Sequence, residues 1–136
     1  MLRRKTRIMN VKLQPDRADG ANMIARHEPS RVWVNATEWT RSVIVPARGT
    51  PEHWPVDRLE QLTAEHFAQL LAFEPELVIF GSGARLRFVP PALQRALIER
   101  RIGVETMDTV AACRTFNVLA GEGRAVTAAL LIEPAA

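Results

Sequence analysis

Two glycine-marked corners carry the residue types with the clearest chemical potential. Gly81-Ser82-Gly83 follows an apolar run and precedes a helical pattern, with Arg85 and Arg87 just beyond it. Asp108-Thr109 opens a second helical pattern. In open α/β sheets ligands sit at such strand-to-helix turns, because backbone N–H groups and helix N-termini point outward there. Thr109, Arg114, Asn117, Arg124 and Arg85 can be drawn around one polar, cationic pocket. A carboxylate or phosphate is the ligand such a pocket would take. The candidate binding set is thus Gly81, Ser82, Gly83, Arg85, Asp108, Thr109, Arg114, Asn117 and Arg124. The alternative for the glycines is a tight turn that needs positive φ. For Asn117, which shares a helix face with Cys113 and Val110, it is a structural amide bond, for instance to the Gly81–Gly83 loop.

No catalytic set accompanies these residues. The glycines lack the Lys-Ser/Thr of a phosphate loop and the third glycine of a dinucleotide fingerprint, and Pro90-Pro91 remove two donors from the next helix start. No serine elbow is present. Cys113, beside Ala112 in a helical pattern, reads as a small core residue, not as an activated thiol. His27, His53 and His66 do not pair at metal-ligand spacing, so neither a metal site nor a cofactor is expected. Trp33, Trp39 and Trp54 read as padding of a sheet's outer layer; an indole exposed there would mark a protein-binding or dimer surface.

The elements that must position these residues are legible from the periodicity. The spans 22–27, 31–35 and 39–46 read as strands, the last two as an antiparallel pair. Residues 46–58 read as a loop, with Pro or Gly at 46, 49, 51 and 55. Thr63 caps a helix through Ala72, which Pro75 stops. Leu77–Phe80 is a strand covered on both faces. Pro90-Pro91 open a helix to about Arg101, with Leu93, Leu97 and Ile98 inward and Gly103 as its cap. Val104–Met107 is a strand, Asp108 or Thr109 caps a helix closing at Gly121, and 125–132 is the last strand. The order from residue 63 is α-β-α-β-α-β, which argues for parallel strands joined by right-handed crossovers. The expectation is a single α/β domain over 22–133, with a mixed sheet and an antiparallel N-terminal strand pair.

The composition agrees with a globular domain: 136 residues, 47% hydrophobic and 24% charged. The net charge of +3 is uneven. Residues 1–17 hold six basic residues against Asp16, for +5, and the remainder holds 12 basic and 14 acidic, for −2. Residues 1–21 therefore read as a basic, mostly irregular segment, and Met9, before Asn-Val-Lys-Leu, as a second candidate start. The tail carries the only nucleic-acid option, and nucleic acid is not the expected partner. One cysteine permits no internal disulfide. No signal-peptide core follows the basic residues, and no apolar run approaches the ~20 residues of a membrane helix. The chain reads as cytoplasmic and not membrane-spanning.

Several stretches then resemble a known family. They are Pro75–Gly83 (PELVIFGSG), Arg101–Thr109 (RIGVETMDT), Ala111–Leu119 (AACRTFNVL) and Gly121–Val126 (GEGRAV), with His53-Trp54-Pro55-Val56 ahead of the first helix. Over roughly residues 22–133 the chain is similar to the family of small α/β domains that includes mitochondrial complex I assembly factor 3 and many bacterial and archaeal proteins. Most relatives carry Tyr where this chain has Phe116, so a role resting on that hydroxyl is not implied here. The resemblance implies a mixed-sheet fold and no established enzyme activity. It implies a non-enzymatic protein-interaction domain with a protein partner, in assembly of a membrane or respiratory complex. The residue-based alternative is a small-molecule anion binder or enzyme at the strand-to-helix turns.

Overall fold

The computed structural model describes residues 20–134; the basic segment over 1–17 lies outside them. The strands are β1 (Ile24–Glu28), β2 (Arg31–Val34), β3 (Thr37–Trp39), β4 (Val43–Pro46), β5 (Glu52–His53), β6 (Leu77–Gly81), β7 (Gly103–Met107) and β8 (Val126–Leu130). The α-helices are α1 (Ala64–Ala68), α2 (Arg95–Glu99) and α3 (Thr109–Gly121). A 3₁₀ turn, Gln69–Phe73, extends α1. Another, Pro91–Gln94, leads into α2.

A five-stranded sheet in the order β5-β4-β8-β6-β7 organises the molecule. β6 pairs in parallel with β7 and with β8, and β4 pairs antiparallel with β8. The continuous apolar runs occupy its centre, because a strand covered on both faces has no polar side. Successive side chains point to opposite faces. Val43, Val45, Ile79, Ala128 and Leu130 enter one core, with Ala112, Cys113 and Phe116 of α3. Ile44, Val78, Phe80, Ala129 and Leu131 enter the other, with Trp54, Phe67, Leu70 and Leu97. In that second core Trp54, Phe67 and Phe80 meet edge to face, with ring centroids 5.4–6.0 Å apart. α2 and α3 thus cover opposite faces, and β6 sends its chain to β7 on one side while β8 lies on the other. The mixed-sheet, single-domain α/β architecture expected from the sequence is the one observed.

Four local expectations are corrected. The span 39–46 is two strands, because the chain leaves one sheet at Trp39 and enters the other at Val43. The N-terminal pair is therefore a three-stranded antiparallel sheet, β1-β2-β3. Between them, buried Ser42 accepts from the Ile132 N–H at 2.9 Å, a bond that periodicity does not reveal. The 46–58 segment is more than a loop: it contributes β5 and buries Trp54 and Val56. Gly103 starts β7 and does not cap α2. The left-handed residue there is Arg101, at φ 60°. Ile98 points outward, 54% exposed, whereas Leu97 is fully buried.

Candidate functional site

The two corners predicted to meet do meet, at the carboxyl ends of β6, β7 and β8. The Gly83 N–H donates to Thr109 Oγ1 at 2.9 Å. Thr109 Oγ1 donates in turn to the Leu131 carbonyl at 2.9 Å. The Thr109 N–H donates to the Gly83 carbonyl, also at 2.9 Å, and the Ser82 N–H to the Met107 carbonyl at 2.8 Å. Thr109 is fully buried. It bolts α3 to both strand ends with one hydroxyl that gives and accepts.

The glycines serve this approach. A Cβ on Gly81 would lie 3.0 Å from Thr109 Oγ1 and 3.1 Å from both Thr109 Cα and Leu130 Cδ2. Gly83 has φ +104°, and a Cβ there would meet the Arg87 guanidinium at 2.7 Å. Ser82 is fully buried. Its hydroxyl donates to the Arg85 carbonyl at 2.8 Å and accepts from the Arg87 N–H at 2.9 Å, which clamps the outgoing loop.

Arg87 and Glu133 close the corner from above. Arg87 Nη2 donates to the Ser82 carbonyl at 2.7 Å and to Glu133 Oε1 at 2.6 Å. Glu133 Oε2 accepts the Leu59 N–H at 3.0 Å. Burial pushes the Glu133 carboxyl up, but the Leu59 N–H and the Arg87 and Arg58 guanidinium groups together outweigh it and hold the group below the usual carboxylate range. Glu133 escaped the sequence reading, because the pair is separated by 46 residues. Its one local signal is a carboxylate placed directly after the apolar run Ala128–Ile132.

The strand ends at this topological switch point are therefore bridged by the chain's own groups. The N-terminus of α3 is likewise supplied from within. Asp108 caps it, accepting the Ala111 N–H at 2.9 Å, and brings the negative charge that the helix dipole favours.

The other sequence candidates lie elsewhere. Arg85 and Arg114 are exposed. Asn117 does not reach the Gly81–Gly83 loop. Its Oδ1 accepts the Ile24 N–H at 2.8 Å and its Nδ2 donates to the Ile24 carbonyl at 2.9 Å, which fastens β1 to α3. Arg124 sits at the opposite end of the parallel strands, 3.3 Å from Glu76. It lines a cleft of about 180 Å³ with Arg48, Phe73 and Ala47. The single pocket drawn from Arg85, Thr109, Arg114, Asn117 and Arg124 is thus not assembled. Cys113 is buried against α3's neighbours, and burial pushes its thiol up to about 12. His66 accepts the Thr63 N–H on Nδ1 at 3.0 Å, so its Nε2 carries the proton toward the Pro55 carbonyl. His53 Nδ1 faces the Ser42 carbonyl. Trp33 lies under the Arg26 guanidinium at 4.5 Å, and Trp39 packs on the first core. Among the described residues no group of three or more His, Cys, Asp or Glu side chains converges, and no helix is long and apolar enough to cross a membrane.

With this geometry in view, comparison with known proteins gives a match over residues 24–131 to the family described as "Protein of unknown function (DUF498/DUF598)". The chain belongs to this family. The cattle relative of this DUF498/DUF598 chain, NADH dehydrogenase [ubiquinone] 1 alpha subcomplex assembly factor 3, is 43% identical over 83 residues, 60% of this chain and 45% of that protein. The zebrafish protein of the same name is 30% identical over 93% of this chain and 73% of its own length. The chain spans about half the length of the mammalian relatives it matches. Among solved structures, a Bordetella parapertussis protein superposes with a TM-score of 0.80 at 33% identity, covering 85% of this chain and 99% of the other. A Mth938-like domain from Bordetella pertussis follows at 0.77 and 28%, covering 90% and 93%.

Proposed function

We propose that this chain is a non-enzymatic docking module that binds a protein partner during assembly of a membrane-bound respiratory complex. One observation carries this reading. The strand ends where open α/β sheets take a small ligand are bridged by Thr109, Arg87 and Glu133, and the helix N-terminus beside them is capped by Asp108. What remains to act is the outer surface. The cattle and zebrafish relatives, which are named as assembly factors, support the same direction. This reading takes the chain to be cytoplasmic.

The test is removal of the gene from its source cells, followed by native-gel analysis of NADH dehydrogenase. Subcomplexes should accumulate and the wild-type chain should restore the full complex. A normal complex without the chain refutes the assembly role. The anion-site alternative draws on the exposed Arg85 beside the Ser82 corner. It requires that millimolar phosphate, a nucleotide or a carboxylate raise Tm, since a ligand bound only to the native state must stabilise it. An unmoved Tm with all three removes it.

A further inference from the structure

The stretch from Arg85 to Arg101 leaves the end of β6, passes through α2 and delivers the chain to β7. Val89 and Leu97 anchor it in the second core. Its other large apolar residues stay outside: Leu86 is 51% exposed, Phe88 71% and Ile98 54%. They are three of the five large apolar side chains exposed among the described residues. Phe88 is held out by a rigid loop, since Ser82 clamps Arg85 and Arg87 on one side and Val89 is buried on the other. A loop backbone held in advance lowers the entropy lost on binding, and an exposed aromatic side chain on it is a common interface anchor.

Unpaired positive charge is densest along this segment, although Arg48, Arg58 and Arg114 elsewhere are also exposed and form no ion pair among the described residues. Arg26, Arg31, Arg41, Arg87 and Arg124 each hold a carboxylate. Arg85, Arg95, Arg100 and Arg101 are exposed, and none forms an ion pair among the described residues. Glu99 is the only acidic residue between positions 85 and 101.

Among the described residues, the same segment ends on an unpaired sheet edge. β7 is the last strand of the sheet. The Met107 carbonyl faces Ser82, on the β6 side. Peptide groups alternate along a strand, so Gly103, Glu105 and Met107 face β6 while Val104 and Thr106 face outward. A row of outward N–H and C=O groups is a template for another strand.

We propose that this face docks an extended acidic segment of a partner protein that also carries apolar side chains, the segment pairing along the outer edge of β7. This rests on the docking-module reading and names its site and partner chemistry. A bilayer would satisfy the arginines and Phe88 but offers no peptide groups in register with Val104 and Thr106. A second copy using the same face would bring arginine against arginine, because a two-fold interface opposes identical patches. An acidic polypeptide satisfies all three features, and arginine's planar fork suits carboxylates.

The experiment replaces Phe88, and separately Ile98, with a photo-crosslinking amino acid in living source cells. Arg31 and Glu122 serve as control positions. The expected result is one protein crosslinked from 88 and 98, at an acidic stretch, with slowed hydrogen exchange over 103–107 in the complex. Arg95→Glu, Arg100→Glu and Arg101→Glu together should lower the yield at least tenfold, while the three Lys replacements keep most of it. Crosslinks to lipid or to a second copy, a non-acidic contact stretch, unslowed exchange over 103–107, or an undiminished yield from the Glu variant overturn the proposal. A partner caught only from Arg31 or Glu122 overturns this site and leaves the docking module standing. No protein caught from any position overturns both.

Discussion

Replacing Thr109 with valine isolates the bolt that closes the strand-end corner. Valine keeps the shape and removes the hydroxyl. The Gly83 N–H and the Leu131 carbonyl, both 2.9 Å from Oγ1, then lose their partner in a fully buried position. Each buried group left unsatisfied costs about 1–3 kcal/mol, so Thr109→Val, which leaves two, should cost roughly 2–6 kcal/mol. For a domain of this length each kcal/mol corresponds to about 3–6 °C, so Tm should fall by at least about 6 °C. Thr109→Ser keeps both bonds and loses one buried methyl, a loss of about 1 kcal/mol. Urea unfolding followed by tryptophan fluorescence measures both variants, with an unchanged m-value certifying that only stability moved. The Gly83 amide should also exchange faster in the valine variant. A valine variant within about 0.5 kcal/mol of wild type, or a serine variant as damaged as the valine one, refutes the reasoning.

Three further outcomes are expected. Gly81→Ala forces a Cβ against the Thr109 backbone at 3.1 Å and should cost about 1–3 kcal/mol. Gly103→Ala, whose Cβ meets only the flexible end of Leu77 at 3.2 Å, should cost less, and urea midpoints rank the two. Glu133 titrates below its unfolded value, so its stabilisation is present above the ordinary carboxylate pKa and lost as pH falls through the lowered one. The stability gap between wild type and Glu133→Gln should therefore narrow as pH drops below about 4.5, read from melting curves between pH 3 and 7. The Cys113 thiol, pushed up to about 12 by burial, should resist a thiol reagent at pH 8 and react only as fast as the domain unfolds. Rapid labelling of the folded protein contradicts that placement.

The sequence was most informative where structure is local. Leu77–Phe80 followed by Gly-Ser-Gly announces a buried strand and a turn, and both are present. Asp108 announces a helix start and caps it. Even the contact between the two corners follows from the parallel alternation, since successive carboxyl ends must lie on one edge. What stayed hidden depends on distance along the chain. Arg87 and Glu133 are ordinary charges until folding brings them to 2.6 Å. Asn117 and Ile24, 93 positions apart, give no hint of their double bond. Arg124 follows α3 closely in sequence, but it precedes β8 and so lies at the amino end of that strand, away from the corner. The passage from β3 to β4 was missed because apolar alternation continues across it although the sheet changes. Arg101 took the left-handed position that Gly103 was expected to fill, and glycine was free to start a strand instead.

β8 and its neighbours act as a wall between two hydrophobic interiors. Phe116 and Cys113 belong to one, Trp54 and Phe67 to the other, and side chains of adjacent strand positions never share a compartment. Volume lost behind the wall on one side cannot be refilled from the other. Each interior is therefore free to be rebuilt by mutation at its own pace, so long as the backbone ladder between them keeps its register.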